Sequence, residues 1–285
     1  MRRWSRATEK ITQKKRRITK DREIIITITT TITKAVRVTD SEIKIKSSER
    51  IDDLQRDGLK IIQDPDKFCF GIDAVLLAHF AKAKTGDKVL DMGTGTGIIP
   101  ILMSSLTKAD HFTCLEIQEE SVDITRRSIG LNKLDNKIDV VHGDIKEAAD
   151  IFPHHTFNVI TCNPPYMIDN HGLKNLDEPK AIARHEILCS LSDVLSNASK
   201  ILKSSGHYYM IHRPFRLSEI FVKLSACGLE PKRMRLVQPY ADKEPNIVLI
   251  EGIKGASSGL IVESPLCVYD KPGQYSREYL DIYES

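Results

Sequence analysis

From residue 49 onward, short apolar runs alternate with amphipathic stretches, and each texture predicts an element. Residues 88–91, 112–116, 138–141, 157–162, 207–211, 234–237 and 247–253 are compact runs rich in Val, Ile and other apolar residues, and predict strands. Residues 98–106, 119–132, 145–151, 181–202 and 217–227 carry helical spacing. Asp73, just before the apolar run 74–80, is expected to cap a further helix. Strand and helix alternating in this way, with right-handed crossovers, predict an α/β fold: a doubly wound, mostly parallel sheet with helices on both faces. Ligands of such sheets bind at the carboxyl ends of the strands.

Residues 1–48 break the pattern. A basic cluster, Lys14, Lys15, Arg16 and Arg17, precedes an Ile/Thr alternation over 24–33 and a polar stretch to Ser48. These residues are read as a basic extension, disordered or lying upstream of the native start, with an RNA-grasping arm or a targeting segment as the sharper alternatives. The domain itself is expected to span 49–285. With 285 residues, 41% hydrophobic and 28% charged, the chain has enough apolar content for one large domain, which excludes disorder throughout. Fifteen glycines and twelve prolines without an internal period exclude collagen and solenoid architectures. No apolar run approaches the roughly 18 to 20 residues that cross a bilayer, so a cytoplasmic, membrane-free protein is expected.

Charge is unevenly placed. Residues 1–48 hold 14 Lys and Arg against 5 Asp and Glu, so the remainder is net acidic although the whole chain is +3. A nucleic-acid surface on the main domain must therefore be a local patch; Arg213, Arg216, Lys232, Arg233 and Arg235 are its candidates. The six cysteines, Cys69, Cys114, Cys162, Cys189, Cys227 and Cys267, form no Cys-x-x-Cys pair, and the nine histidines have no metal-ligating spacing. No metal is expected.

The first chemical constellation is Asp91-Met92-Gly93-Thr94-Gly95-Thr96-Gly97, between an apolar strand and a helix. Glycines there let backbone approach a ligand. Counted from Gly93, the last glycine of a dinucleotide fingerprint would fall at Ile98, so the NAD pattern is not met. A carboxylate entering the turn, Asp91, suits an ammonium group rather than a pyrophosphate. Glu116 ends the next strand, where it can accept both hydroxyls of a ribose, and Asp144 follows the third, where it can accept from an adenine amino group. Asp144 also fits an N-cap. Taken together, the three carboxylates and the glycine turn describe a nucleoside with a cationic amino-acid tail, S-adenosylmethionine.

The second constellation is Asn163-Pro164-Pro165-Tyr166, after the fourth strand. The Asn163 side-chain carbonyl and the Pro164 carbonyl are two acceptors, the prolines make the turn rigid, and Tyr166 offers a flat face. Two acceptors over a ring suit a planar –NH2 group. Such an amine is a poor nucleophile; accepting both its hydrogens favours a pyramidal nitrogen whose lone pair can be aimed at an electrophilic carbon. A base within a helix must first be flipped out or lie in an open loop.

These residues resemble the class I S-adenosylmethionine-dependent methyltransferases, in which Asn-Pro-Pro-Tyr marks enzymes acting on planar amino nitrogens. Phe68-Cys69-Phe70-Gly71-Ile72-Asp73-Ala74-Val75-Leu76-Leu77, Arg184-His185-Glu186 and Pro265-Leu266-Cys267-Val268-Tyr269 look like the bacterial tRNA(Val) adenine N6-methyltransferase family, over about residues 49–283. The resemblance implies a Rossmann-like fold of seven strands with an antiparallel last strand. It also implies an enzyme that methylates N6 of an adenine in RNA, expected to be tRNA near the anticodon. Asp91, Gly93, Gly95 and Gly97 would hold the methionine end of S-adenosylmethionine, Glu116 its ribose and Asp144 its adenine; Asn163, Pro164, Pro165 and Tyr166 would be catalytic. On the same grounds Asp73 would face the methionine carboxylate region, a role that an N-cap matches equally well, and Arg184-His185-Glu186 would contact RNA, which helix-start polarity matches equally well. A protein glutamine N5-methyltransferase presents the same chemistry, but it usually carries a helical domain that 1–48 is too short and too β-prone to form. A DNA adenine methyltransferase usually adds a target-recognition domain not evident here. A non-catalytic RNA-binding factor on the same scaffold is disfavoured by the intact motifs.

Overall fold

The computed structural model describes residues 43–66, 69–164 and 189–284, all within Glu42–Ser285, the second of the two units into which the chain divides. In chain order the elements are β1 (Arg50–Asp53), β2 (Lys60–Gln63), α1 (Ile72–Phe80), β3 (Lys88–Met92), α2 (Ile98–Leu106), β4 (His111–Glu116), α3 (Glu119–Leu131) and β5 (Ile138–His142). Then come a 3-10 turn (Ile145–Glu147), α4 (Ala148–Ile151), β6 (Phe157–Cys162), α5 (Leu191–Ile201) and β7 (Leu202–His212). After a second 3-10 turn (Pro214–Arg216) follow α6 (Leu217–Ala226), β8 (Leu229–Gln238), β9 (Ile247–Lys254), β10 (Ile261–Val262), β11 (Leu266–Cys267), β12 (Tyr269–Lys271), β13 (Gln274–Tyr275) and α7 (Arg277–Glu284).

Seven strands form the expected sheet in the order β5-β4-β3-β6-β7-β9-β8, parallel from β5 to β7, with β9 antiparallel to both β7 and β8. The strands are apolar on both faces because helices cover both. Val89, Tyr209 and Ile211 join the core under α1 and α2, while Leu90, Met92, Tyr208 and Met210 join the core under α5 and α6. Two short strands extend the sheet beyond expectation: β10 and β11 both run parallel to β8 along its outer edge. They pair backbone groups that an open edge would expose.

Three expected boundaries are corrected. The cap of α1 is Gly71, in extended backbone, and Asp73 sits inside the first turn, where a carboxylate is favoured by the helix dipole. The helix expected over 181–202 begins at Leu191: Ser190 is extended and closes a capping box with Asp193. Residues 181–188 lie outside the described residues. Strand 207–211 begins five residues earlier, at Leu202. Residues 43–48, assigned from sequence to the extension, reach α3: Lys46 Nζ donates to Asp123 at 2.9 Å, and Arg127 Nη1 donates to the Lys44 carbonyl at 3.1 Å.

The C-terminal helix is fastened by aromatic rings. Tyr240, Tyr269, Tyr275, Tyr279 and Tyr283 form a file with successive centroids 5.5, 4.9, 4.7 and 5.8 Å apart, running from the loop after β8 to the last turn of α7.

A polar clamp joins α1 to the far half of the sheet. Arg233 Nε donates to Glu251 Oε2 at 2.6 Å, Nη1 to Glu263 at 3.0 Å and Nη2 to the Phe80 carbonyl at 2.8 Å, and its guanidinium lies 3.8 Å from the Phe80 ring centroid. Glu251 Oε1 also accepts from His207 Nδ1 at 2.7 Å and Tyr209 Oη at 2.8 Å. Arg235 is used similarly, donating to the Ser264 carbonyl and pairing with Glu278. Both arginines expected from sequence to line a rim are thus paired within the fold, Arg233 with buried Glu251 and Arg235 with Glu278 at the surface. Burial pushes the Glu251 carboxyl up, but the bonds from His207, Arg233 and Tyr209 win and hold it at about 2. Because this folded value lies below the unfolded one, the clamp's contribution is complete above pH 4.5 and is lost as pH falls toward about 2. Glu251→Gln is expected to lower stability at neutral pH by about 3 kcal/mol and to flatten the acid limb of the stability profile, read from urea unfolding at a series of pH values.

Candidate active site

The chain winds from β3 outward through β4 to β5, then crosses back to place β6 on the other side of β3, so the strand order reverses between β3 and β6. At such a switch point the two following loops diverge and leave a crevice. The loop after β3 is the glycine turn, and the loop after β6 begins with Asn163 and Pro164. Register sets them side by side: Asp91 pairs with Thr161 and Met92 with Cys162, so Gly93 and Asn163 leave the sheet from adjacent positions.

Asp91 is only 1% exposed, on the same sheet face as Val89. Its Oδ1 accepts from Thr161 Oγ1 at 2.6 Å, a buried bond between the two strands. Its Oδ2 is buried without a hydrogen-bond partner, as is Thr94 Oγ1 in the turn above. Burial raises the Asp91 carboxyl to about 6, opposed by the Thr161 and Thr94 hydroxyls and reinforced by the nearby Glu116 carboxylate. A buried acceptor left unsatisfied at this sheet edge is suited to an incoming cation. Thr161 and Thr94 escaped the sequence reading. The available signal was a hydroxyl residue at the inward position opposite Asp91, visible only once the register of β3 against β6 is known.

The turn is held from β4. Gly93 N and Thr94 N both donate to the Leu115 carbonyl, at 2.9 and 3.1 Å, and Gly95 N donates to Glu116 Oε2 at 2.9 Å. Glu116 Oε1 accepts from Gln118 N at 2.9 Å. Glu116, 5% exposed, thus pins the turn while each oxygen retains lone-pair capacity for a further donor such as a sugar hydroxyl. Two glycines differ in what they are for. A Cβ on Gly97, which caps α2 at φ +83°, would fall 2.7 Å from Thr125 Cγ2, so its bareness serves the packing of α2 against α3. A Cβ on Gly95, at φ +59°, would meet nothing within 4 Å, leaving open space above the backbone. Gly93 also has positive φ, and Ile145 Cδ1 lies 3.3 Å from its virtual Cβ.

Asp144 follows β5 and caps the first 3-10 turn, accepting from Lys146 N at 2.8 Å, while Gly143 N ties the same loop to the Glu116 carbonyl. Asp91 on β3, Glu116 at the end of β4 and Asp144 just past β5 therefore stand along the carboxyl ends of three neighbouring strands. The orphaned acceptor, the open space at Gly95 and this row of carboxylates fit a nucleoside bearing an ammonium tail. Asn163 and Pro164 are half-buried beside it. Pro165, Tyr166 and Arg184-His185-Glu186 lie outside the described residues. At the end of β7, His212 is 1% exposed, and burial together with Arg216 pushes its imidazole down to about 4. Its Nδ1 accepts from Arg213 N at 2.7 Å. Among the described residues no group of three His, Cys, Asp or Glu is placed to hold a metal ion, and no helix is long and apolar enough to cross a membrane.

Comparison with known proteins bears on the same region. Residues 59–218 match the family described as methyltransferase small domain. A tRNA1(Val) (adenine(37)-N6)-methyltransferase of Histophilus somni is 30% identical over 220 residues, covering 77% of this chain and 90% of the relative. The protein of the same description from Parabacteroides distasonis is 31% identical over 191 residues, covering 64% and 75%. In fold, the chain is similar to a predicted O-methyltransferase from Agrobacterium tumefaciens (TM-score 0.59, 23% identity, 74% of this chain and 95% of that one). It is also similar to a putative transferase from Pyrococcus horikoshii (TM-score 0.53, 16% identity, 74% of each).

The buried Asp91 pair generates a pH prediction. An ammonium group binds the ionised carboxylate, so calorimetric affinity for S-adenosylmethionine, the ligand expected from sequence, should fall as pH drops through about 6. Thr161→Val removes a donor that favours the charged form and should move that midpoint upward. An affinity that is flat across this range would take Asp91 out of the binding surface.

Proposed function

Because this chain belongs to the methyltransferase small domain family, we propose that it transfers the methyl group of S-adenosylmethionine to the exocyclic N6 nitrogen of an adenine in RNA, with a tRNA adenine near the anticodon as substrate. The observation that carries this reading is the register of β3 against β6, which brings the acid-glycine turn and the Asn163-Pro164 turn to one switch point. The relatives named for adenine N6 methylation of tRNA support the choice of nitrogen and of substrate.

Asp91 would hold the ammonium of the methionine tail, the turn at Gly93 and Gly95 would give it room, and Glu116 and Asp144 would take the ribose and the adenine. Gly97 would serve the same site indirectly, by seating α2. When bound, S-adenosylmethionine supplies an electrophilic methyl carbon on a sulfonium. The chain's part is orientation. Asn163 Oδ1 and the Pro164 carbonyl would accept the two amino hydrogens of the target, which keeps the nitrogen lone pair out of conjugation and directs it across the crevice. Pro165 would stiffen the turn, and Tyr166 would stack on the base. Once methylated, the cationic amine is acidic, so its surplus proton can leave by way of Asn163 Oδ1 or the Pro164 carbonyl to water, while the electron pair of the broken carbon–sulfur bond stays on sulfur. No strong base is needed, and His212, held at about 4, is a poor one.

Asn163→Ala is expected to reduce methyl transfer roughly a hundredfold or more while S-adenosylmethionine affinity stays within about twofold, as for loss of one transition-state hydrogen bond. Labelled methyl donor offered with separate pools of tRNA, ribosomal RNA, DNA and protein should place label in tRNA, as N6-methyladenine. Label confined to protein would replace the adenine reading with one of glutamine methylation.

A further inference from the structure

The carboxyl end of β7 supplies a surface that the chemistry above does not use. Cys162 pairs with Met210 on β7, so His212 stands beside the Asn163-Pro164 turn, and Arg213, Pro214, Phe215 and Arg216 continue past the same sheet edge. Pro214 occupies the first turn of the 3-10 segment, where its fixed φ and missing N–H are suited, and it turns the chain outward. Phe215 comes out 62% exposed. Of the apolar positions that follow on α6, Ile220 and Leu224 are fully buried and Val222 is 69% exposed.

Exposure of an aromatic ring matters when its faces are available. The other exposed aromatic among the described residues, Tyr275, has a ring stacked on each side, Tyr269 at 4.9 Å and Tyr279 at 4.7 Å. Phe215 has no such ring partner among the described residues. It is also bracketed by cations held in place: Arg213 Nη1 donates to the Asn246 carbonyl at 3.0 Å, and Arg216 donates to Glu219 at 2.9 and 3.0 Å. Like Arg233 and Arg235, Arg216 is paired with a carboxylate and its side chain is only 14% exposed; Arg213 and Arg216 are the sequence-predicted arginines that flank Phe215 in the chain.

On the reading of the site as an RNA methyltransferase, we propose that Phe215 is a stacking platform for the nucleotide base flanking the target adenine, with Arg213 against the adjoining phosphate. An adenine drawn out of a loop leaves its neighbour without a stacking partner, and a ring one strand away from the acceptor turn replaces it. A planar guanidinium beside the ring, that of Arg213, favours nucleic acid over an apolar protein surface.

The test measures steady-state methylation of unfractionated tRNA alongside calorimetric binding of S-adenosylmethionine. Phe215→Ala should raise KM for tRNA roughly tenfold or more, with cofactor affinity unchanged, and Phe215→Trp should restore it. Arg213→Ala should lower the slope of log KM against log salt by about one. Unchanged KM in Phe215→Ala, with wild-type turnover on tRNA intact, overturns the platform alone. An equal loss in Val222→Ser, at an exposed position of α6, overturns it in favour of an apolar protein-docking patch. Wild-type protein that binds cofactor but labels no RNA overturns the platform together with the reading on which it rests.

Discussion

The buried hydrogen bond from Thr161 to Asp91 is the constraint on which the site depends. It joins the two strands between which the sheet reverses its winding, one residue below the point where both give way to loops. A carboxylate enclosed at 1% exposure is costly unless something holds it in its charged form. Here one oxygen is satisfied from the neighbouring strand and the other is buried without a hydrogen-bond partner. The bond therefore fixes the relative height of two loops as well as the orientation of one acid, so the glycine turn and the Asn163-Pro164 turn cannot slide past each other without losing it.

Around this bond the glycine turn is rigid rather than merely permissive. Its backbone N–H groups are taken up by Leu115 and Glu116, and its far end is packed against Thr125. Such preorganisation places the cost of ordering the loop in folding instead of in ligand binding. Glu116, proposed above to take the ribose, also hangs the turn from β4.

Much of this was legible in the sequence. Strands β3, β4, β6 and β9 could be located because a strand covered on both faces has to be apolar throughout. The acid-glycine turn and Asn163-Pro164 could be picked out because their residue types serve little else. What escaped depended on register or on partners distant in sequence. Thr161 looked like any strand threonine, and Arg233 and Arg235 looked like surface charge until β9, β10 and the C-terminal segment supplied their carboxylates and carbonyls. Local signals of similar strength also competed. Asp73 was a plausible cap, yet glycine two positions earlier took that place, and the Ser190–Asp193 box started a helix that hydrophobic spacing alone began earlier.

The file of five tyrosines gives the folded unit an optical identity. The chain's single tryptophan, Trp4, precedes the unit Glu42–Ser285, so the near-ultraviolet dichroism of that unit comes chiefly from phenol rings held in a fixed, mutually coupled array. Two of those rings, Tyr279 and Tyr283, lie on α7, so release of α7 would weaken the signal while the buried Tyr208 and Tyr209 of the intact sheet kept theirs. Docking of the C-terminus can thus be followed by light, separately from the folding of the remainder.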